Sequence, residues 1–119
     1  DPVPALARSA AAAADDDEAL ASWAQRVRAS ETRGQGGARS IRVKALEGLP
    51  RAVGGRVLAS FLRDAGVPGG SLAAGHVEAV DALVTAWRGQ GPLSLPRVVV
   101  ARSGRGERAV IEAGPLRSQ

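Results

Sequence analysis

Apolar positions recur at helical spacing in three stretches of this chain, and the tail changes to β-branched runs broken by glycine. Leu6, Ala10 and Ala13 begin a stripe that Leu20, Trp23, Ala24 and Val27 continue at three- and four-residue steps, which predicts one long helix over residues 1–30. Pro2 and Pro4 suit its start, where a missing N–H costs little. Asp15-Asp16-Asp17-Glu18 interrupts the stripe, so a kink or a break into two helices is one outcome. Residues 31–48 hold no sustained period. Glu31 to Ser40 contains three glycines and reads as a flexible loop, and Ile41 and Val43 alternate with Arg42 and Lys44 as a short extended segment.

The clearest helix follows Pro50. Val53, Val57, Phe61 and Ala65 fall at four-residue steps with Leu58 and Leu62 beside them, and Gly66-Val67-Pro68 ends the run. Gly54-Gly55 weakens its first turns by roughly 1 kcal/mol per glycine relative to Ala. Ser71 offers an N-cap for a second helix, with Val77, Val80, Leu83, Val84 and Trp87 on one face and Arg88-Gly89 at its end. The two stripes should face one another in a single core. Arg97 to Arg102 and Glu107 to Ala113 then read as two strands joined by a turn at Ser103-Gly104-Arg105-Gly106. The fold class is α+β, mainly helical: a long N-terminal helix, a helix-turn-helix pair and a C-terminal β-hairpin, with residues 49–119 forming one compact domain.

Few residues offer chemistry. Adjacent helical side chains point about 100° apart, so Asp15 to Glu18 cannot converge on one cation and reads as a solvated acidic turn. His76 has no nucleophile beside it, and Glu78 and Asp81 sit two and five positions away, so a structural histidine is the better reading. Gly34-Gln35-Gly36-Gly37 follows no strand and precedes no Lys-Ser or Lys-Thr, which excludes a phosphate-binding loop. No catalytic, cofactor-binding or metal-binding residue emerges.

Composition narrows the class further. The chain has 119 residues, 45% of them apolar and none of them Cys, which excludes a disordered tail, disulfides and thiolate zinc sites. No stretch reaches the ~18 uninterrupted apolar residues of a membrane span. Arg outnumbers Lys by fifteen to one, alongside 24 Ala and 15 Gly, a bias expected of a GC-rich genome, and the net charge of +4 is modest. The chain begins Asp1-Pro2 rather than with Met, as expected of a domain cut from a longer protein, and no secretory leader is legible, which points to the cytoplasm. Arginine is what remains as binding chemistry. Arg56 and Arg63, seven apart, share a helix face away from Val53, Val57 and Phe61, and Arg51 and Arg88 lie near helix ends. Arg97, Arg102, Arg105 and Arg108 decorate the hairpin as a second group. Guanidinium forks on a rigid surface suit phosphates, although each is equally a solubilising charge.

A resemblance sharpens this. Leu49-Pro50-Arg51, Arg56-Val57-Leu58, Phe61-Leu62, Ala65-Gly66-Val67-Pro68, the run from His76 to Val84, Trp87-Arg88-Gly89-Gln90-Gly91-Pro92-Leu93 and Leu95-Pro96 resemble the region downstream of the catalytic domain in tRNA(Ile)-lysidine synthases, especially short actinobacterial forms. Asp1 to Ala24 is similar to the helix leading into that region. The resemblance implies a two-part enzyme. Its N-terminal catalytic domain carries a Ser-Gly-Gly-x-Asp-Ser loop, uses ATP and magnesium to activate the wobble cytidine of tRNA(Ile), and lets lysine attack. That loop is not in this sequence, so the implied role here is tRNA binding beside that catalytic domain, with tRNA(Ile) as partner. The chain departs from the family's pattern at Gly54-Gly55, where basic or bulky residues are usual, and at Arg97, where glycine usually follows the Leu-Pro.

Two other classes compete. A helix-turn-helix followed by a hairpin is also the order of a winged-helix DNA-binding domain, but its second helix here presents Glu78 and Asp81 and no Arg or Lys until Arg88. A protein-interaction domain with merely solvated arginines is the other alternative.

Overall fold

The structure, a computed structural model, describes residues 2–34 and 37–116, with side chains from residue 12 onward. Helix α1 (Pro2–Glu31) runs through Asp15–Glu18 without a break. The carboxylates there are exposed, so their interruption of the apolar stripe costs no packing, and the flanking alanines favour helix. Residues 12–19 are exposed; apart from the Asp17 side chain, which pairs with Arg56, the described residues of α1 pack on the domain from Leu20, Ala24 and Val27 onward. Its first half therefore projects from the domain and stretches the molecule to 64 × 31 × 26 Å. Leu6 and Ala10 of the expected stripe lie outside the residues whose side chains are described.

The segment expected as loop is paired at both of its ends. Strand β1 (Thr32–Arg33) pairs antiparallel with β2 (Arg39–Arg42), followed by the short helix α2 (Val43–Glu47). Gln35 and Gly36 lie outside the described residues. Ile41 is buried in β2 as alternation predicts, but Val43 and Leu46 are buried from α2 instead of continuing a strand.

Helix α3 (Arg51–Ala65) buries Val53, Val57, Leu58, Phe61, Leu62 and Ala65, the whole expected stripe. Gly66 ends it with a φ of 119°, a left-handed conformation that glycine adopts freely, and its N–H reaches the Leu62 and Arg63 carbonyls. Helix α4 (Ala74–Thr85) starts later than Ser71, which instead closes a 3-10 turn over Gly69–Ser71. The Ala73 N–H donates to Nδ1 of His76 at 3.0 Å, so His76 caps the helix in the structural role its sequence context suggests. Val80, Leu83 and Val84 are buried and Val77 half-buried, but Trp87 does not join them. It lies past the end of α4 and is 42% exposed, a correction to the expected core.

The tail builds more than a hairpin. Strands β3 (Leu93–Leu95), β4 (Val98–Ser103) and β5 (Val110–Pro115) join β1 and β2 in one antiparallel sheet, in the order β1-β2-β5-β4-β3. β5 begins at Val110, not Glu107, because Gly106–Arg108 forms a 3-10 turn. Gly104 in that connection has φ 82°, and a Cβ there would lie 2.8 Å from the Arg108 carbonyl oxygen, so only glycine fits. Ile41, Leu95, Val98, Val100, Ile111 and Ala113 point to the helical side and form one core with α2, α3 and α4. That is an α+β architecture, helices on one face of an antiparallel sheet. The other face is open. Ser40, Val99, Ala101, Glu112 and Gly114 line a shallow hollow of about 440 Å³ there.

Candidate nucleic-acid interface

The eight arginines that sequence singles out fall into two neighbourhoods. Arg56 and Arg63, seven apart, project from the side of α3 opposite Val53, Val57 and Phe61, which turn into the core, and Arg51 stands exposed at the helix start. Arg51 and Arg56 line one wall of a groove of about 630 Å³ between α3 and α4, floored by Ala52, Gly55 and Ala82. Glu78 and Asp81 face them from α4, so the groove is cationic on one wall and anionic on the other. Arg63 lies two turns further along the same side of α3 and is exposed. Arg88 is not part of this set. It sits in the loop after α4, next to Trp87.

The hairpin arginines also separate. Arg105 and Arg108 are exposed in the β4–β5 connection, and Arg97 is exposed in the β3–β4 turn. Arg102 is different: it points inward from β4, donates to the Leu83 carbonyl at 2.8 Å and lies 5.0 Å from the centre of the Trp87 ring.

Ion pairing divides these side chains by availability. Three ion pairs occur among the described residues: Arg28 with Asp64 at 2.6 Å, Arg42 with Glu31 at 3.0 Å, and Arg56 with Asp17. The first and third tie α1 to α3. Arg51, Arg63, Arg88, Arg97, Arg105 and Arg108 take part in none of them. The Asp17 carboxylate is 69% exposed, so its pair with Arg56 is a solvated one worth at most about 1 kcal/mol, weak enough for a competing anion to displace. Asp17 is thereby the one member of the acidic turn with a partner on another element, which no spacing rule reveals across 39 positions.

Sequence reasoning missed two features. One is the tethering of α1 through Arg28 and Asp64. The other is the exposure of Trp87, whose only signal is the Arg88-Gly89 that follows it and pulls it beyond the helix end. Among the described residues, no group of three or more His, Asp or Glu is placed to hold a metal ion, and no helix is long and apolar enough to cross a membrane.

The described residues form a small helix-on-sheet domain with arginines exposed on its surface. Comparison with known proteins identifies its family. Residues 42–106 match the family model described as the TilS substrate binding domain, and the chain belongs to that family. It is 46% identical over 112 residues to a tRNA(Ile)-lysidine synthase of Streptomyces coelicolor, covering 94% of this chain and 31% of that protein. The tRNA(Ile)-lysidine synthases of Thermobifida fusca and Mycobacterium leprae are 44% and 37% identical, over 85% and 91% of this chain and 29% and 30% of theirs. The chain thus spans about a third of the length of these relatives. No solved structure matches it.

Proposed function

We propose that this chain is the tRNA-binding part of a tRNA(Ile)-lysidine synthase, holding the phosphate backbone of tRNA(Ile) beside a catalytic domain that lies outside it. The conversion of wobble cytidine to lysidine, with the ATP and magnesium it consumes, belongs in this reading to that catalytic domain, and the work takes place in the cytoplasm. The observation that carries it is the set of exposed cations on α3: Arg51 at its start and Arg63 two turns after Arg56 are both exposed and outside the ion pairs described, on a helix whose apolar face is locked in the core. Rigid guanidinium forks at fixed spacing suit phosphate oxygens. Arg56 joins them once phosphate displaces Asp17, and Arg88, Arg97, Arg105 and Arg108 extend the surface. Arg102, held by the Leu83 carbonyl, contributes charge rather than a free fork.

A winged-helix reading is not favoured. The strands belong to a five-stranded sheet rather than a two-stranded wing, and the exposed side of α4 offers Glu78 and Asp81 to a duplex.

Anisotropy with labelled tRNA(Ile) across a salt series tests the proposal. Removing an arginine that touches a phosphate lowers the slope of log K against log salt by a little under one unit. Arg56→Ala combined with Arg63→Ala should weaken binding and flatten the slope by between one and two units while the thermal melt stays in place. An unchanged affinity and slope would remove α3 from the interface.

A further inference from the structure

Trp87 is the largest side chain left in solvent between α4 and β3, and its surroundings hold it still. The Gln90 side chain accepts the Arg88 N–H at 2.7 Å and donates to the Ala86 carbonyl at 3.2 Å and the Ala82 carbonyl at 3.4 Å. One carboxamide therefore fastens the loop that carries Trp87 to the end of α4. Behind the indole, the Arg102 guanidinium lies 5.0 Å from the ring centre, within cation–π range, and is itself fixed by the Leu83 carbonyl. One face of the ring is thus backed by a guanidinium, and the side chain still keeps 42% of its surface exposed. The exposed Arg88 adjoins it in sequence.

A lone exposed apolar side chain is ordinary on a protein surface. A rigid indole with a cation behind it and a second cation beside it is a different object. Its other π-face is left for stacking, and the exposed Arg88 next in the chain offers a guanidinium for the phosphate beside a stacked base. Duplex RNA hides its base faces, so this arrangement fits only an unpaired nucleotide. We propose that Trp87 is a stacking platform for an unpaired base of the bound RNA, with Arg102 backing the ring and Arg88 taking the neighbouring phosphate. This rests on the tRNA-binding reading and adds to it a contact that is not electrostatic.

The test uses the 119-residue chain with Trp23→Phe, so that Trp87 is the sole tryptophan. tRNA(Ile) transcript should quench its emission, and a blunt RNA duplex at equal phosphate concentration should leave it largely unchanged. In parallel, Trp87→Ala should weaken tRNA binding by about 5- to 150-fold, the range set by base–aromatic stacking, with the salt slope unchanged. Trp87→Phe should recover most of the affinity. Because Trp87 lies outside the core, each variant should still unfold cooperatively, with Trp87→Ala lowering the melt only by the few degrees that its lost cation–π contact with Arg102 accounts for. Wild-type affinity in Trp87→Ala, or equal quenching by tRNA and duplex, would overturn the platform while leaving phosphate binding standing. Failure of tRNA to bind the parent chain at all would instead sink the tRNA-binding reading, and the platform with it.

Discussion

Arg97 occupies a backbone conformation that suits glycine. Leu95 and Val98 are paired across a two-residue connection, with Pro96 first and Arg97 second at φ 64°. Proline followed by a left-handed residue is the pattern of a type II turn, which prefers glycine at that second position. The Leu116 N–H donates to the Arg97 carbonyl at 3.0 Å and holds the turn in place. The arginine here thus stores strain of about 1 kcal/mol. Arg97→Gly should therefore raise stability by about that amount, read as a higher midpoint in urea. A lowered midpoint would mean that the arginine side chain contributes more than its backbone costs. At this scale the sequence is legible where a residue acts through its neighbours, as His76 does at its helix start. It is opaque where the partner is remote: nothing near Asp17 points to Arg56, and nothing near Arg102 points to the Leu83 carbonyl.

Helix α3 is the element on which core and binding surface meet. Its stripe from Val53 to Ala65 is readable because six apolar positions repeat at three and four residues and all six are buried. Phe61 is completely buried and is the largest side chain in the core. Phe61→Ala should cost about 3–5 kcal/mol, a large share of a small domain's stability, as measured by denaturant unfolding. A cost under about 1 kcal/mol would mean that α3 does not pack as described. The strands are far less legible. β1 has two residues and β3 three, too short to show alternation, and β2 gains its partner β5 from the other end of the chain. Trp87 misleads for a related reason: its spacing fits the α4 stripe, but the helix ends at Thr85, whose side chain turns back to the Asp81 carbonyl.

At the scale of the whole molecule, one face is closed and two surfaces remain. The helices cover one side of the sheet, leaving the α3 arginines with the Trp87 corner on one hand and the hollow on the open sheet face on the other. The hollow on the open face is lined by small side chains at Ala101 and Gly114, the Glu112 carboxylate, and Arg33 and Arg39, whose guanidinium groups already donate to the Ser30 and Gly34 carbonyls. The binding surface is legible in the sequence as a set of arginines, and family membership as a run of residues from Leu49 to Pro96, but which arginines are free depends on ion pairs across the fold. Amide chemical shifts of the isotope-labelled chain, followed as tRNA(Ile) is added, map the contact surface directly. The largest changes should fall along Arg51 to Arg63 and around Trp87 and Arg88, with Val99, Ala101 and Gly114 nearly still. Changes confined to the open sheet face, with α3 unmoved, would contradict the assignment of the α3 arginines to tRNA.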